Sequence, residues 1–255
     1  MKALREFRFE NRAFWRNPAA AFFTFMFPLM FLFLFPTIFG SGDIPGPSGE
    51  TITGETFYVP AIGVFAIITA TYTNNAMTLL FAREEGVLKR KRGTPLRTRD
   101  YMLGRIMHSM FITFLLVAIT VTVGKLFFGV AIPSETLPAF IVTVLTGAFA
   151  FCALGIAISG VLPNVEAGPP VVNASILPLL FISNVFIPTA DAPEWLTTVA
   201  KVFPVYHFAE ATLISFSPFT EGNGFEWNNL AIVAVWGVAG ILIAFKTFAW
   251  EPKRK

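Results

Sequence analysis

Six stretches of the chain contain no Asp, Glu, Lys or Arg: 19–40, 57–82, 106–124, 137–162, 167–190 and 228–245. They are 22, 26, 19, 26, 24 and 18 residues long. A helix needs about 20 predominantly apolar residues to cross the hydrocarbon core of a bilayer. The pattern therefore predicts six spans, placed at 19–40, 57–82, 103–125, 137–162, 167–190 and 228–249. Inside lipid every backbone N–H and C=O must be paired within the protein, which leaves helices or a closed barrel. A barrel would read as alternating segments of about ten residues, and these runs are continuous. A Gly-, Pro- and Ser-rich stretch from Gly40 to Gly54 separates the first two spans as a loop.

Two segments carry apolar residues without spanning. In 1–17, Ala3, Leu4, Phe7, Phe14 and Trp15 share one helical face, and Lys2, Arg5, Arg8, Arg12 and Arg16 share another. That pattern predicts an interfacial helix along the headgroups, serving as an anchor or also docking a partner. It is no signal peptide, because Arg and Glu are mixed and no apolar core leads to a small-residue cleavage site. In 191–216, Trp195, Leu196, Val199, Val202 and Phe203 recur at helical spacing and Pro204 ends the run. Val205 to Phe216 is again too short to cross. These residues predict two short re-entrant helices on the external side, or an amphipathic cover.

Composition agrees with a membrane protein: 55% of residues are apolar, 14% are charged, and 30 are Phe. Soluble domains carry about 25% charged residues. The fold class is thus all-α integral membrane. Most Phe reads as lipid-facing bulk, and the single Cys152 as a small packing residue.

The net charge of +3 says less than its distribution. Of 19 Lys and Arg, 17 fall before the first span, between spans two and three, or at the C-terminal end. Only Lys125 and Lys201 lie on the other side. The positive-inside rule places both termini in the cytoplasm of a cell (inner or plasma) membrane.

Several chemistries are excluded. His108 and His207 are the only histidines, too few for a multi-histidine metal centre. Ser159 and His207 fall on opposite sides of the predicted topology, which argues against a Ser–His hydrolase. The chain contains no G-x-x-x-x-G-K-[ST] phosphate loop. Span cores without Asp, Glu, Lys or Arg also argue against a proton-coupled carrier.

The segment Arg83-Glu84-Glu85-Gly86-Val87-Leu88-Lys89-Arg90-Lys91-Arg92-Gly93-Thr94-Pro95-Leu96, followed by Tyr101-Met102-Leu103-Gly104-Arg105, closely resembles the loop after the second span of ABC-2 type permeases. These are membrane subunits of bacterial ABC exporters, including the drug- and antibiotic-resistance group. Asn184-Val185-Phe186-Ile187-Pro188, Pro193-Glu194-Trp195-Leu196 and Pro204-Val205-Tyr206 resemble that family's end of span five and its external re-entrant helices. The resemblance implies a permease subunit that is not itself an enzyme. It implies a dimer, as a homodimer, working with two copies of a separate ATPase that holds ATP and Mg. The lipid bilayer is the other partner, and nucleic acid is not among them. Loop 83–99 would be the cytoplasmic coupling loop, with Glu84, Glu85, Gly86, Leu88, Arg90, Gly93, Thr94 and Pro95 docking the ATPase. Its local pattern fits a short helix: Glu84 and Glu85 suit an N-terminus and Lys89 to Arg92 a C-terminus. The cargo implied is an amphipathic drug, antibiotic or lipid-like molecule. A polysaccharide-exporting permease, or a carrier or channel needing no ATPase, is the alternative.

Thr71, Asn74, Asn75 and Thr78 lie on one stripe of span two. Asn173, Ser183 and Asn184 in span five could face them. Such side chains either glue helices together or line a translocation path. The topology is testable directly. A cysteine replacing Gly49 or Glu221 is expected to react with an impermeant thiol reagent from outside, and one replacing Lys91 is not. Labelling at Lys91 in intact cells overturns the assignment.

Overall fold

The computed structural model describes residues 2–39, 42–46, 50–189 and 192–252. Gly49, Asp191 and the C-terminal Lys253, Arg254 and Lys255 lie outside the described residues. The architecture is all-α apart from one small ladder, in the order α1 Lys2–Trp15, α2 Pro18–Phe39, β1 Asp43–Pro45, β2 Thr51–Thr53, α3 Gly54–Ile68, a π-helical turn Thr69–Thr73, and α4 Asn74–Glu84. Then follow α5 Val87–Arg92, α6 Thr98–Phe128, α7 Leu137–Val161, α8 Gly168–Ile182, α9 Glu194–Ala200, α10 Pro204–Phe216 and α11 Trp227–Thr247. Among the described residues, five helices are long and apolar enough to cross a membrane: α2, the continuous rod Gly54–Glu84, α6, α7 and α11. Helix α8 is a shorter apolar helix.

Local chemistry sets most boundaries. Asn17 accepts a bond from the Ala20 N–H at 3.2 Å, capping α2, with Pro18 at the first helical position. The Thr53 hydroxyl accepts from the Thr56 N–H at 3.4 Å to open α3. Gly86, at φ 71°, takes the left-handed conformation that lets the chain leave α4 and start α5. Glu84 is therefore the last residue of α4 and Glu85 its cap. This corrects the expectation that the two acids open the loop helix, because the reversal falls at Gly86, after them.

Other expected boundaries also shift. The predicted span 103–125 is part of a 31-residue helix, since Thr98 to Met102 and Leu126 to Phe128 continue the pattern without a breaker. The predicted span 167–190 holds a helix of only 15 residues. At about 1.5 Å per residue it is roughly 22 Å long, short of a hydrocarbon core of about 30 Å. It stops because Asn184 sits at φ 56° and its Oδ1 accepts from the Thr189 N–H at 2.6 Å and hydroxyl at 2.8 Å. A side chain that bonds nearby backbone competes with continuation of the helix. The stretch read as a plain loop between the first two spans contains the antiparallel β1–β2 pair, with Ile44 opposite Ile52. Both isoleucines are buried against Phe57, Tyr58 and Leu213.

The rod and α7 form the enclosed centre, whereas α2, α6 and α11 turn most of their surface outward. Helix α2 buries only the seam Ala21, Pro28, Leu32 and Pro36. Phe takes both roles open to it. Phe22, Phe23, Phe114 and Phe127 are exposed, while Phe31, Phe35, Phe65 and Phe186 cluster with ring centroids 5.1 to 5.9 Å apart. Backbones approach closely where side chains are small. A Cβ on Gly237 would stand 3.0 Å from Ala150 Cα, and one on Gly240 3.0 Å from the Leu154 nitrogen. This suits lipid, where helices associate through packing rather than water exclusion.

Gly155 seats α7 on the rod: a Cβ there would lie 2.5 Å from the Tyr72 carbonyl in the π turn. Gly63 has nothing within 4 Å of the equivalent position. Gly155→Ala is therefore expected to destabilise by about 1–3 kcal/mol through overpacking. Gly63→Ala should be neutral or gain up to about 1 kcal/mol from helix propensity. Thermal unfolding in detergent measures both, and equal shifts would contradict the seating of α7 on the π turn.

Candidate functional site

The short helix α5 and the turn after it form the tip of the chain between the rod and α6. Leu88 is buried with Leu79, Tyr101 and Met102, so α5 is anchored through one apolar residue. Glu85, Lys89, Arg90, Arg92, Gly93, Thr94 and Pro95 are exposed. Gly86 is half-buried, as is Glu84, whose carboxylate accepts from Arg83 Nε at 2.7 Å. The expected docking residues thus share one surface, apart from Leu88 and Glu84, which hold it in place. The Thr94 hydroxyl donates to the Lys91 carbonyl at 2.7 Å and Lys2 Nζ to the Pro95 carbonyl at 2.6 Å.

Three of the basic residues are not loop charges. Arg83 is buried and donates to the carbonyls of Ser159 at 3.0 Å and Leu162 at 2.7 Å. It satisfies the orphan C-terminal carbonyls of α7, where a cation also meets the helix dipole. Lys91 pairs with Glu6 and, at 3.2 Å, with Glu10. Its ammonium also lies 4.6 Å from the Phe9 ring and 4.7 Å from the Tyr101 ring. Arg105 is buried and donates to Glu10 at 3.2 Å, Asn75 Oδ1 at 3.2 Å and the Tyr101 hydroxyl at 3.4 Å. For the labelling experiment above, exposed Lys89 is accordingly a better inside position than Lys91. The remaining ion pair, Arg92 with Glu251 at 3.0 Å, is exposed on both sides and contributes little.

Helix α1 supplies both acids. It lies against α6, and a Cβ on Gly104 would meet the Glu6 Cβ at 2.6 Å, so only glycine admits this approach. Burial pushes the Glu10 carboxyl up, but the guanidinium of Arg105 and the ammonium of Lys91 outweigh it and hold it below the usual carboxylate value of 4.5. Burial likewise lowers Lys91, and Glu10, Tyr101 and Glu6 outweigh that, raising it above 10.5. A depressed carboxylate contributes stability that is lost as pH falls through its folded value, below 4.5. A raised ammonium contributes stability that is lost as pH rises through its folded value, above 10.5. Glu10 and Lys91 are therefore both charged across the neutral range.

The polar stripe of the rod divides in two. Asn75 is buried and donates to the Thr71 carbonyl at 2.6 Å, Ser109 Oγ at 2.8 Å and Cys152 Sγ at 3.4 Å, while accepting from Arg105. Thr71 is fully buried and donates to the Ile67 carbonyl at 2.6 Å. Asn75 ties the rod to α6 and α7, and Thr71 bonds within the rod. Asn74 and Thr78, bonded to each other at 2.8 Å, open onto a cleft of about 210 Å³ whose lining also includes the buried Asn75 and Ser109. Glu10, Asn17, Thr24, Arg105 and His108 also line it. The expected partners in predicted span five do not meet the stripe. Asn173 is exposed, Ser183 is buried with no hydrogen-bond partner, and Asn184 donates to Glu210. Ser175 of α8 hydrogen-bonds to the rod, its hydroxyl 2.7 Å from that of Tyr72.

Sequence reasoning missed Glu6, Glu10, Arg105, His108 and Ser109. For the acids a signal existed. Glu6 and Glu10 are four apart and share the face of Ala3, Phe7 and Phe14, which is acid on an otherwise apolar face.

An apolar helical bundle with a basic loop tied into its interior defines a multi-pass membrane protein. The signature of the ABC-2 type transporter family matches residues 5–216, and the chain belongs to that family, whose membrane domain is a transport subunit. It is similar to the ycf38 transport permeases of Porphyra purpurea, at 26% identity over 86% of this chain and 76% of the relative, and of Pyropia yezoensis, at 29% over 81% and 72%. It is also similar to the daunorubicin resistance ABC transporter permease protein DrrB1 of Streptomyces coeruleorubidus, at 28% over 73% of this chain and 65% of the relative.

Asn75→Leu would leave a buried guanidinium N–H of Arg105 without its acceptor. The expected loss is about 1–3 kcal/mol of stability, with transport of dissimilar cargoes falling alike. Asn74→Leu should stay within about 0.5 kcal/mol. Thermal unfolding of the two variants, with transport of three unlike cargoes, checks the division; a cargo-selective defect in Asn75→Leu at normal stability would contradict it.

Proposed function

We propose that the chain is the permease subunit of an ATP-driven exporter. It would move an amphipathic drug, antibiotic or lipid-like molecule out of the cytoplasm or the inner leaflet. ATP and Mg are held by a separate ABC ATPase, since this chain has no phosphate loop. Two ATPase copies would serve a homodimer of this chain, with the basic loop in the cytoplasm and α1 along the inner headgroups. Six crossings follow if α8 completes its passage with the non-helical residues 183–189.

One observation carries the reading: a continuous polar chain joins the exposed tip to the interior. It runs from Lys91 in α5 to Glu10 in α1, then to Arg105 in α6, then to Asn75 in the rod. A push on α5 by a docked ATPase would reach the central helix through charge-assisted bonds, which are stronger than neutral ones. The exposed face of Glu85, Arg90, Gly93, Thr94 and Pro95 is the docking surface in this reading. The drug-resistance permease among the relatives supports an amphipathic cargo.

Glu85→Lys and Arg90→Glu alter only exposed side chains. With the partner ATPase present, each is expected to reduce ATP-driven transport at least about tenfold, equivalent to about 1.4 kcal/mol of coupling. Insertion and thermal stability should be unchanged. Transport assays in vesicles read this directly, and wild-type rates in both variants would remove the docking role.

A further inference from the structure

We infer that the cleft between α1, α2, the rod and α6 holds the head group of a zwitterionic glycerophospholipid from the leaflet on the basic-loop side. The inference stands whether or not the export reading holds.

The cleft joins two kinds of surface. Its floor is polar, with Glu10, Asn74, Thr78, Arg105 and His108 around about 210 Å³. Its mouth, at Ala20 and Thr24, runs onto the outward face of α2, where Phe23, Met26, Phe27 and Met30 are 65%, 45%, 42% and 50% exposed. Trp15 stands half-exposed at the same end, the position an indole takes at a membrane–water interface. A ligand filling both parts needs a polar head and apolar chains.

Charge then selects the head group. Glu6 and Glu10 balance Lys91 and Arg105. A ligand of net charge would leave one buried charge uncompensated, which is costly. A zwitterion adds none, and its order of charges matches the site: phosphodiester toward Arg105, ammonium toward Glu10. The Nδ1 of His108 is buried without a hydrogen-bond partner. Buried polar atoms rarely lack one, and a phosphate oxygen in the cleft would supply it.

The test uses Ala20→Cys. The natural Cys152 is fully buried, so a thiol reagent reads the mouth alone. Reaction is followed in detergent with three additions: dihexanoyl phosphatidylethanolamine, dihexanoyl phosphatidylglycerol, and chain-free phosphoethanolamine. The expected result is at least about tenfold slower labelling with the first, little change with the other two, and no change at a control Val235→Cys on α11. Adding His108→Phe should abolish protection and His108→Gln should keep it. Equal protection by phosphatidylglycerol overturns the zwitterion, protection by phosphoethanolamine alone overturns the lipid, and no protection overturns the site. Should His108→Phe fail to fold, the three additions to Ala20→Cys still decide the matter.

Discussion

A guanidinium cannot sit inside a helical membrane bundle without a counter-charge, and that constraint on Arg105 organises the basic-loop end of this protein. Its carboxylate comes from Glu10, so α1 must lie across α6. Gly104 is what lets it come close enough. Glu10 is shared with Lys91, so α5 is drawn onto the same cluster. The remaining guanidinium bonds go to Tyr101 and Asn75, which fixes the rod as well. Removing one member of such a cluster leaves a buried charge unpaired, at a cost of about 3–5 kcal/mol. Helix α1 is thus a structural counter-ion carrier, whatever it also does at the headgroups.

Away from this cluster the bundle is held by shape. Lipid tails are as apolar as the helices, so association depends on close packing. Gly155 against the π turn, and Gly237 and Gly240 against α7, bring backbones together where any side chain would intervene. The rod and α7 are enclosed as a result, and the bulky residues are sent outward on α2, α6 and α11. Ion-pair chemistry fixes the loop end, and small-residue packing fixes the centre.

The sequence made the hydrophobic elements legible because a charge-free run of sufficient length has one solution in lipid. It was less informative wherever a single side chain decides. Nothing in the composition of 167–190 says that Asn184 will turn left-handed and end α8 at Ile182. Lys91, Arg83 and Arg105 read as loop charges because their position beside the spans is all a charge count sees. Their burial depends on acids and carbonyls 76 to 95 residues away. The stripe on the rod was visible as a pattern, but its division was not, because Asn75 and Asn74 are neighbours. Both border the cleft whose far wall is α1, but Asn75 bonds Ser109 and Cys152 on neighbouring helices, whereas Asn74 bonds Thr78 within the rod.

The π turn gives that division its consequence. An extra residue in a helix turn leaves the ladder locally out of register, and Thr69–Thr73 is such a turn at mid-rod. Asn75 Nδ2 bonds the Thr71 carbonyl inside that turn, while its Oδ1 accepts from Arg105. One amide therefore bridges the least regular part of the central helix and the buried charge cluster. Displacing α5 while α1 stays fixed would break the pairs of Lys91 with Glu6 and Glu10. Displacing α5 and α1 together would pull Arg105 away from Asn75. Each route strains a charge-assisted bond, so α5, α1, α6 and the rod beyond the π turn are held as one connected unit.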